Sequence, residues 1–454
     1  MLQLLAATFA VPYISVVDHG ASTTATDNTK AFSDAMSAAQ HSNVTSVVYA
    51  PPGRWRFAGS FVLPRGVTLQ GSYSSVPSHD EYGASDHGLT DGTVLEPTQG
   101  RGSTVGAPFV TLRENAAIRG LVIYHVEQER TAWPVPYPWT IQLSGNNAAV
   151  TDVELLNPYL GINATLAGRH YIARVQGQPL LIGLYVDQTY DIGRIEDVHF
   201  NPWYSTKHPF VEFQLVHGRA FVFGRSDWEY VLNTFVSKKR LQPSSHAPGC
   251  CEGSVRASRL VQAFGYAVGY HFIQTSTGSM NGNFVGLGAD LAVNASVLVD
   301  ATKPAGLLIT NGEFTAFHTP QWINSTVEST HVVVSKGPCV GGCPVTFASS
   351  SFWGPASQVA LLRGTGTTSF NNCNFVAWDE QAKDGRAAIR AYAGNLILRG
   401  NTFEQDKVQV ELGSGVAKAS IVGNVVKGKY RVKVASTKTR VKAGLNVDDA
   451  DDAA

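Results

Sequence analysis

The sequence predicts an all-β fold: a single-domain, right-handed parallel β-helix, or solenoid, with a helix that caps its N-terminal end. The first observation is a short β-type phrase that occurs four times within residues 116–204. A run of that length cannot bury its apolar face alone, whereas stacked coils bury it continuously. The central apolar residues of the phrases follow one another at spacings of 32, 22 and 23 residues, and they are Ile118, Val150, Ile172 and Ile195.

The second observation is a set of apolar pairs in the C-terminal half, each with members five residues apart. Four of these pairs enclose an asparagine, a residue that suits turns and can form a hydrogen-bonded ladder between stacked coils. We therefore expect the apolar members to point inward, with Phe314, Phe352, Phe375 and Phe403 among them. The enclosed asparagines are Asn311, Asn372, Asn401 and Asn424.

The third observation is a helix signal near the N-terminus. Asp27, Asn28 and Thr29 are residues that favour helix N-caps. The apolar residues that follow recur at helical spacing and are Phe32, Ala35, Met36 and Ala39. Together they predict a helix near residues 28–40, placed to cap the open end of the solenoid.

Four N-terminal phrases carry a family resemblance. They are Asp18-x-Gly20-Ala21, Asp27-Asn28-Thr29-x-Ala31-Phe32, Pro51-Pro52-Gly53-Arg54-Trp55 and Gly66-Val67-Thr68-Leu69-x-Gly71. This segment resembles the N-terminal segment of the pectate lyase superfamily, in particular its rhamnogalacturonase/epimerase-like branch, and the resemblance implies the parallel β-helix. The resemblance assigns no catalytic residues to this sequence. Polygalacturonases combine an Asn-Thr-Asp-Gly phrase with a paired Asp-Asp and a His-Gly, and this combination is missing because the sequence has no Asn-Thr-Asp-Gly. The Asp-Pro-His-Glu phrase of alginate epimerases is also missing.

The domain prediction follows from the repeat. A chain of 454 residues would ordinarily suggest about three domains, but a solenoid grows by adding coils. We expect one β-helix domain at residues 13–442, including its cap. Residues 1–12 are expected to be a signal or disordered segment, and residues 443–454 a disordered acidic tail.

The overall charge guides the choice of partner. The 35 Lys and Arg residues balance 35 Asp and Glu residues, so the surface as a whole has no bias toward nucleic acid or lipid. No stretch approaches the roughly 20 apolar residues that span a bilayer. We expect a polysaccharide or oligosaccharide as substrate, no nucleic acid and no membrane, while the oligomeric state is left open.

Sequons and the apolar N-terminus indicate a secreted, extracellular glycoprotein. The apolar N-terminus is typical of a weak signal peptide. The five cysteines predict one or two loop disulfides and a buried free thiol at Cys373, rather than a metal site. Four Asn-x-Ser/Thr sequons begin at Asn43, Asn163, Asn294 and Asn324.

Ionisable and aromatic side chains are densest between Arg169 and Tyr230. Glycoside hydrolysis uses one carboxylic acid that protonates the leaving oxygen and a second carboxylate roughly 5 Å or 6.5–9.5 Å away. A β-solenoid offers both distances, because adjacent coils lie roughly 4.8 Å apart and alternate residues of a strand roughly 6.6 Å apart. The catalytic candidates are Asp187, Asp191, Glu196, Asp227 and Glu229.

The residues expected to bind substrate surround these carboxylates. Aromatic rings suit the faces of sugars, while imidazole, guanidinium and carboxylate groups suit their polar substituents. The substrate-binding candidates are Glu127, Trp139, Arg169, His170, Arg194, His199, Trp203 and Trp228.

Three functions stay open at this point. The first is a secreted glycoside hydrolase that uses paired carboxylates and no cofactor. The second is a polysaccharide lyase or epimerase, which needs a base for the C5 proton of a uronic acid and a cation to neutralise its carboxylate. Calcium held by Asp residues would be that cation. The third is a non-catalytic β-helix that binds glycans.

Overall fold

A computed structural model describes most of the chain. The described residues are 12–76, 91–202, 204–205, 208–236, 265–290, 293–303, 306–316, 329–335, 344–354, 356–379 and 385–449. Within them the strands build a right-handed parallel β-helix, as predicted.

The described ranges contain two α-helices, one 3-10 helix and 37 strands. The N-terminal elements are β1 Ile14–Ser15, the 3-10 helix Val16–His19, α1 Thr29–His41, β2 Val47–Tyr49, β3 Gly53–Phe57, β4 Phe61–Leu63, β5 Thr68–Gln70, β6 Thr93–Pro97, β7 Val110–Leu112, β8 Ala117–Tyr124, β9 Trp139–Leu143, β10 Ala149–Leu156, β11 Leu160–Thr165 and β12 Tyr171–Gln178. The central elements are β13 Ile182–Asp187, β14 Thr189–Glu196, β15 His199–Phe200, α2 His208–His217, β16 Arg219–Phe223, β17 Ser226–Leu232, β18 Phe235–Val236, β19 Val268–Phe272, β20 Met280–Val285, β21 Gly288–Asp290, β22 Ala295–Val299, β23 Leu307–Thr310, β24 Glu313–Thr315 and β25 Thr330–Val334. The C-terminal elements are β26 Val345–Ala348, β27 Ser351–Trp353, β28 Gln358–Leu362, β29 Thr367–Asn371, β30 Asn374–Phe375, β31 Ile389–Arg399, β32 Thr402–Phe403, β33 Val410–Val422, β34 Val425–Val426, β35 Val432–Val434, β36 Arg440–Gly444 and β37 Val447–Asp448.

The strands form three faces of the solenoid, and a coil visits them in the order I, II, III. Each strand pairs in parallel with its equivalents in the neighbouring coils. Face I contains β4, β7, β9, β11, β13, β16, β19, β22, β25, β28 and β35, with the first halves of β31 and β33. Face II contains β1, β2, β5, β14, β17, β20, β23, β26, β29 and β36, with the first halves of β8, β10 and β12 and the second halves of β31 and β33. Face III contains β3, β6, β15, β18, β21, β24, β27, β30, β32, β34 and β37, with the second halves of β8, β10 and β12.

The predicted inward residues form two continuous stacks. On face II, Ile118, Val150, Ile172 and Ile195 are register neighbours and are fully buried. On face III four phenylalanine rings stack with centroids 5.3, 5.5 and 4.6 Å apart along the series. They are Phe314, Phe352, Phe375 and Phe403, all buried. The coil register predicted from the sequence is therefore confirmed.

The turn from face II to face III repeats a left-handed residue. Arg174, Asn311 and Asn372 have φ near 50°, and glycine takes the same place in other coils. Asn and Gly tolerate this conformation best. Two of the four predicted ladder asparagines, Asn311 and Asn372, therefore form the turn itself.

Asn401 and Asn424 lie one residue later and form the buried amide ladder. The Asn401 side-chain amide donates to Oδ1 of Asn424 at 2.9 Å, and the Asn424 amide donates to Oδ1 of Asn446 at 2.9 Å. Oδ1 of Asn401 accepts the backbone N–H of Cys373 at 2.9 Å. Cys373 occupies the equivalent position one coil earlier and is the predicted buried free thiol.

Replacing Asn424 with Ala should lower the free energy of unfolding by about 1–3 kcal/mol, because Asn401 and Asn446 would each lose a buried partner. Urea unfolding followed by circular dichroism measures the change. Asn395→Ala is the matched control, since Asn395 makes a single half-buried side-chain bond to Thr367. Equal unfolding midpoints for wild type and Asn424→Ala would contradict a stabilising ladder.

The N-terminal helix is confirmed as α1, with its apolar face on the first coils. Phe32 contacts the rings of Phe57 and Phe61 with centroids 4.8 and 5.8 Å away. Asp27 rather than the N-cap residue Asn28 bonds the first turn, since its carboxylate accepts the backbone N–H of Thr29 at 2.9 Å.

The predicted C-terminal boundary was placed too early. Residues 440–444 and 447–448 form β36 and β37, which pair in parallel with β33 and β34. The β-helix therefore continues to Asp448, and the expected disordered tail does not begin at residue 443. Val441 and Val447 each lie 22 residues after their register partners in the preceding coil, Ala419 and Val425, although both valine side chains are exposed.

Helix α2 was not predicted. It leaves the solenoid between β15 and β16 and lies against face III, where Gln214 and Gln178 share a buried hydrogen bond of 2.8 Å. Phe210 of this helix is buried and packs in a small cluster with Leu180.

Candidate active site

The five carboxylates that the sequence singled out fall into three environments. Asp187 and Asp227 lie at the corner between faces I and II, Asp191 and Glu196 lie on the outer side of face II, and Glu229 lies inside the solenoid. These positions follow from the strands: Asp187 ends β13, Asp227 begins β17, and Glu229 alternates inward together with the core residue Val231.

Asp187 organises the corner. One of its carboxylate oxygens accepts the backbone N–H of Gln188 at 2.8 Å, the backbone N–H of Arg225 at 2.7 Å and the hydroxyl of Thr275 at 3.1 Å. The other oxygen accepts the phenol of Tyr185 at 3.3 Å. A buried carboxylate with this many donors holds neighbouring coils together, and here it fixes the backbone from which the Arg225 side chain extends.

Asp227 is the exposed carboxylate of the corner, with 41% of its side chain accessible. It contacts the Lys303 ammonium group, and it accepts a hydrogen bond from Nη2 of Arg225 at 3.0 Å. Lys303 first, and then Arg225, hold the pKa of Asp227 below its usual range. The carboxylate is therefore ionised at neutral pH, with two cations around it.

An exposed aromatic ring stands beside Asp227. The Arg225 guanidinium lies 4.5 Å from the ring centroid of Tyr190, and this ring is 52% exposed. Arg225 thus contacts Asp187 through its backbone, and Asp227 and Tyr190 through its side chain. Two of the predicted carboxylates are brought together by one residue.

A second polar group at the corner was missed in the sequence. Nε2 of His271 contacts one oxygen of Asp300, and the Ser335 hydroxyl donates to the other oxygen at 2.5 Å. The hydrogen bond to His271 is the main cause that lowers the pKa of Asp300. Nδ1 of His271 is buried and has no hydrogen-bond partner among the described residues.

These three residues come from successive coils of face I. They were missed because they are 29 and 35 residues apart and share no phrase. The available signal was positional: His271 pairs in register with Leu298, so Asp300 is the next outward residue of that coil.

The segment after β22 connects the two groups through the backbone. It contains Asp300, which contacts His271, and Lys303, which contacts Asp227. We refer to the whole arrangement as the corner site. It consists of Asp187, Tyr190, Arg225, Asp227, His271, Asp300 and Lys303.

Asp191 and Glu196 make separate surface contacts on face II. Nε of Arg169 donates to Asp191 at 2.5 Å, and Glu196 accepts a hydrogen bond from the phenol of Tyr171. The backbone N–H of Ile192, followed by Arg169, lowers the pKa of Asp191. On the same face Arg194 is exposed. The half-buried ring of Trp228 lies 6.2 Å from that of Tyr230.

His170 and Glu229 form an ion pair inside the solenoid. Both side chains are 0% exposed, and Nε2 of His170 lies 2.9 Å from Oε1 of Glu229, outside good hydrogen-bond alignment. Burial by itself would lower the pKa of His170, but the charge of Glu229 and a bond to the carbonyl of Ala167 raise it. A substrate cannot reach this pair without opening a coil.

The other predicted binding residues are dispersed. Glu127 accepts the phenol of Tyr137 at 3.3 Å on the loop before β9. Trp139 lies on face I, with its ring centroid 6.0 Å from that of Tyr185. His199 lies on the outer side of face III. Trp203 falls outside the described residues.

No three His, Cys, Asp or Glu side chains among the described residues cluster closely enough to hold a metal ion. No helix in the described ranges is long and apolar enough to cross a membrane.

Comparison with known proteins places the N-terminal segment. Residues 13–148 match the model of a family described as rhamnogalacturonase A/epimerase, pectate lyase-like. This match confirms the resemblance seen in the sequence. No curated protein sequence matches the chain.

Solved structures share the fold at low sequence identity. The chain is similar to DFA-IIIase from Arthrobacter chlorophenolicus A6 in complex with DFA-III, with a TM-score of 0.51, 10% identity, and coverage of 95% of this chain and 98% of that chain. It is similar to PfbA, a surface adhesin of Streptococcus pneumoniae, with a TM-score of 0.47, 12% identity, and coverage of 96% and 91%. It is also similar to the catalytic unit of the thermostable GH87 alpha-1,3-glucanase from Streptomyces thermodiastaticus strain HF3-3, with a TM-score of 0.40, 14% identity, and coverage of 96% and 69%. These pectate lyase-like and β-helix similarities concern the fold alone.

Proposed function

We propose that the protein cleaves glycosidic bonds of a polysaccharide at the corner site, as a glycoside hydrolase. The observation that carries the proposal is the geometry of Asp227: a half-exposed carboxylate, kept ionised by Lys303 and Arg225, beside the exposed ring of Tyr190. An ionised carboxylate next to a sugar can attack the anomeric carbon or activate water. The Tyr190 ring offers a flat surface for the sugar face.

Hydrolysis also requires a proton donor for the leaving oxygen. We assign this task to His271, because Asp300 contacts Nε2 and Nδ1 has no hydrogen-bond partner among the described residues. Nδ1 is buried, so the assignment requires the groups that cover the ring to move aside when substrate binds. Asp300 is itself held by Ser335, so the imidazole keeps its orientation. In this scheme Asp227 acts on the sugar, His271 transfers the proton, and Asp187 and Asp300 position them.

A lyase or epimerase is the second candidate, and one observation favours it. Nδ1 of His271 has no hydrogen-bond partner among the described residues, so a neutral imidazole has a lone pair there that could act as a base once the groups covering this buried atom move aside. Such a base can remove the C5 proton of a uronic acid. Lys303 and Arg225 would neutralise the carboxylate of the sugar, with calcium as the alternative cation.

A panel of neutral and uronic polysaccharides separates these functions. Products are followed as new reducing ends and as ultraviolet absorbance of an unsaturated sugar. Reducing ends without absorbance support the hydrolase, and both signals together identify β-elimination. Binding of a polysaccharide with neither product would contradict both the hydrolase and the lyase. It would leave an epimerase, which breaks no glycosidic bond, or a glycan-binding β-helix.

Secretion is part of the same proposal. Asn43 and Asn294 are exposed, Asn163 is half-buried, and Asn324 lies outside the described residues. Expression in a eukaryotic secretory host should therefore give a glycoprotein whose mass falls on enzymatic removal of N-glycans. Asn43→Gln and Asn294→Gln should each remove one glycan in this assay. An unchanged mass after deglycosylation of the wild type would contradict the proposal.

A further inference from the structure

The last coils of the solenoid are strongly basic. Residues 385–449 carry 12 Lys and Arg residues against five Asp and Glu residues, a net charge of +7 in a chain whose total is zero. The rest of the chain therefore carries −7. A separation of charge on this scale marks one end of a neutral protein for an anionic partner.

Part of this charge lines a cleft on the outer side of face I. The cleft has a volume of about 510 Å³ and is lined by Arg386, Arg390, Glu411 and Lys433, together with apolar and small residues. We call it the basic cleft. Three cations face one carboxylate in it, so its lining has a net charge of +2.

The contacts inside the basic cleft leave donors for a ligand. Nε of Arg390 donates to Glu411 at 3.2 Å, and the Lys433 ammonium group donates to the carbonyl of Gly385 at 3.2 Å. A guanidinium has five N–H donors and an ammonium has three. Nη1 of Arg390 also donates to Oε1 of Gln358 at 3.5 Å, so these contacts use two donors of Arg390 and one of Lys433.

Protection of exposed strand edges does not account for all these charges. Lysines on terminal strands do discourage edge-to-edge aggregation, and Lys433 and Lys442 lie on β35 and β36. Arg390, however, lies two coils further in. Lys418 and Arg440 are register neighbours on face II, and like charges directly opposite each other destabilise a sheet.

We propose that the basic cleft and the surrounding coils bind an acidic polysaccharide through its anionic oxygen groups. This goes beyond the proposed hydrolase, because it is a binding site separate from the corner site. The corner site adjoins face I, and along that face the coil of Asp227 and the coil of Arg390 are five coils apart, or roughly 24 Å at the spacing of parallel strands. An extended chain along the solenoid axis could reach both. A single-stranded nucleic acid is less suited, since none of the described residues that line the cleft is aromatic and bases would have no ring on which to stack. Duplex DNA, which binds through its phosphates, is one of the ligands tested below.

The test compares two charge-matched double variants of the full chain. Arg390→Gln/Lys433→Gln removes two cations from the basic cleft. Arg65→Gln/Arg113→Gln removes two cations from a cleft of about 540 Å³ near the other end, where Arg65 is likewise paired with a glutamate, Glu114. Dissociation constants are measured by calorimetry for polygalacturonate, dextran sulfate, uncharged dextran and duplex DNA.

We expect the wild type to bind an acidic polysaccharide and not uncharged dextran, with an affinity that falls as salt rises. The basic-cleft variant should bind at least about 10-fold more weakly, and the control variant within about 2-fold of wild type. The charge-retaining variant Arg390→Lys/Lys433→Arg should restore binding. Preference between polygalacturonate and dextran sulfate identifies carboxylate or sulfate as the recognised group.

Three results would overturn the inference. They are no binding of either acidic polysaccharide by the wild type, equal weakening in both double variants, and tighter binding of DNA than of both acidic polysaccharides. Circular dichroism of every variant checks that it is folded. Loss of the proposed hydrolase activity alone would leave these binding constants unchanged, so the two proposals fail separately.

Discussion

Replacement of Asp227 with Asn should lower the rate of polysaccharide cleavage at least about 100-fold, the loss typical of a missing acid, base or nucleophile. The amide keeps the shape of the side chain but cannot carry the charge that Lys303 and Arg225 stabilise. The substrate should still bind to Tyr190 and the neighbouring cations. The measurement is the initial rate of reducing-end formation at saturating substrate.

Asp191→Asn is the matched control for this prediction. Asp191 is also an exposed carboxylate paired with an arginine and with a lowered pKa, but its partner is Arg169, which does not belong to the corner site. Its variant should retain activity within about 3-fold. Equal losses in both variants, or full activity in Asp227→Asn, would contradict the assignment of Asp227.

The pH profile gives the same assignment an independent check. Because the pKa of Asp227 is lowered, its carboxylate stays ionised below the usual aspartate value of about 3.9. Activity that depends on this ionised group should persist to that pH and fall only as pH drops further. Removing a cation by Lys303→Gln should raise the pKa of Asp227, and therefore move the acid limb of the profile to higher pH.

The interior of the solenoid could be predicted from the sequence because it is periodic. Ile118, Val150, Ile172 and Ile195 recur once per coil, and each must enter the same buried stack. The hydrophobic effect acts on every coil in the same way, so spacing alone identifies these positions. The N-terminal helix was predictable for a similar reason, since its caps and its apolar face are local in sequence.

The candidate site could be predicted only in part. Asp187, Arg225 and Asp227 lie within the segment that the sequence indicated, because polar residues there are dense. His271 and Asp300 lie outside it, and only the register between coils brings them to the same corner. Loops of different lengths separate the coils, so residues adjacent in space have no fixed spacing in the sequence.

Glu229 was predicted as a catalytic candidate, but its position in the strand places its side chain inside the solenoid. In Ser226–Leu232 the buried apolar residue Val231 sets the inward alternation, and Glu229 shares it. The high local density of polar residues concealed this pattern. A catalytic role for Glu229 stays a prediction, and it can be tested together with the stability of the buried pair.

Glu229→Gln should lower the free energy of unfolding by about 3–5 kcal/mol, the usual effect of breaking a buried ion pair from one side. His170 would then keep its burial without a nearby negative charge. Gly193→Ala should also destabilise, because an added Cβ would lie 2.3 Å from Oε1 of Glu229 and 2.4 Å from the His170 ring. Urea unfolding of the full chain measures both effects.

The pH dependence of unfolding isolates the pair from simple loss of packing. The pKa of His170 is higher in the folded protein than in the unfolded chain, whose histidines titrate near 6.5. The stabilisation is therefore complete below about pH 6.5 and is lost as pH rises through the raised value. This slope should be present in wild type and absent in Glu229→Gln. Replacing both residues with Leu should recover much of the stability, since an apolar pair needs no compensating charge. A Glu229→Gln variant that loses activity while keeping wild-type stability at every pH would contradict the structural role and return Glu229 to the catalytic candidates.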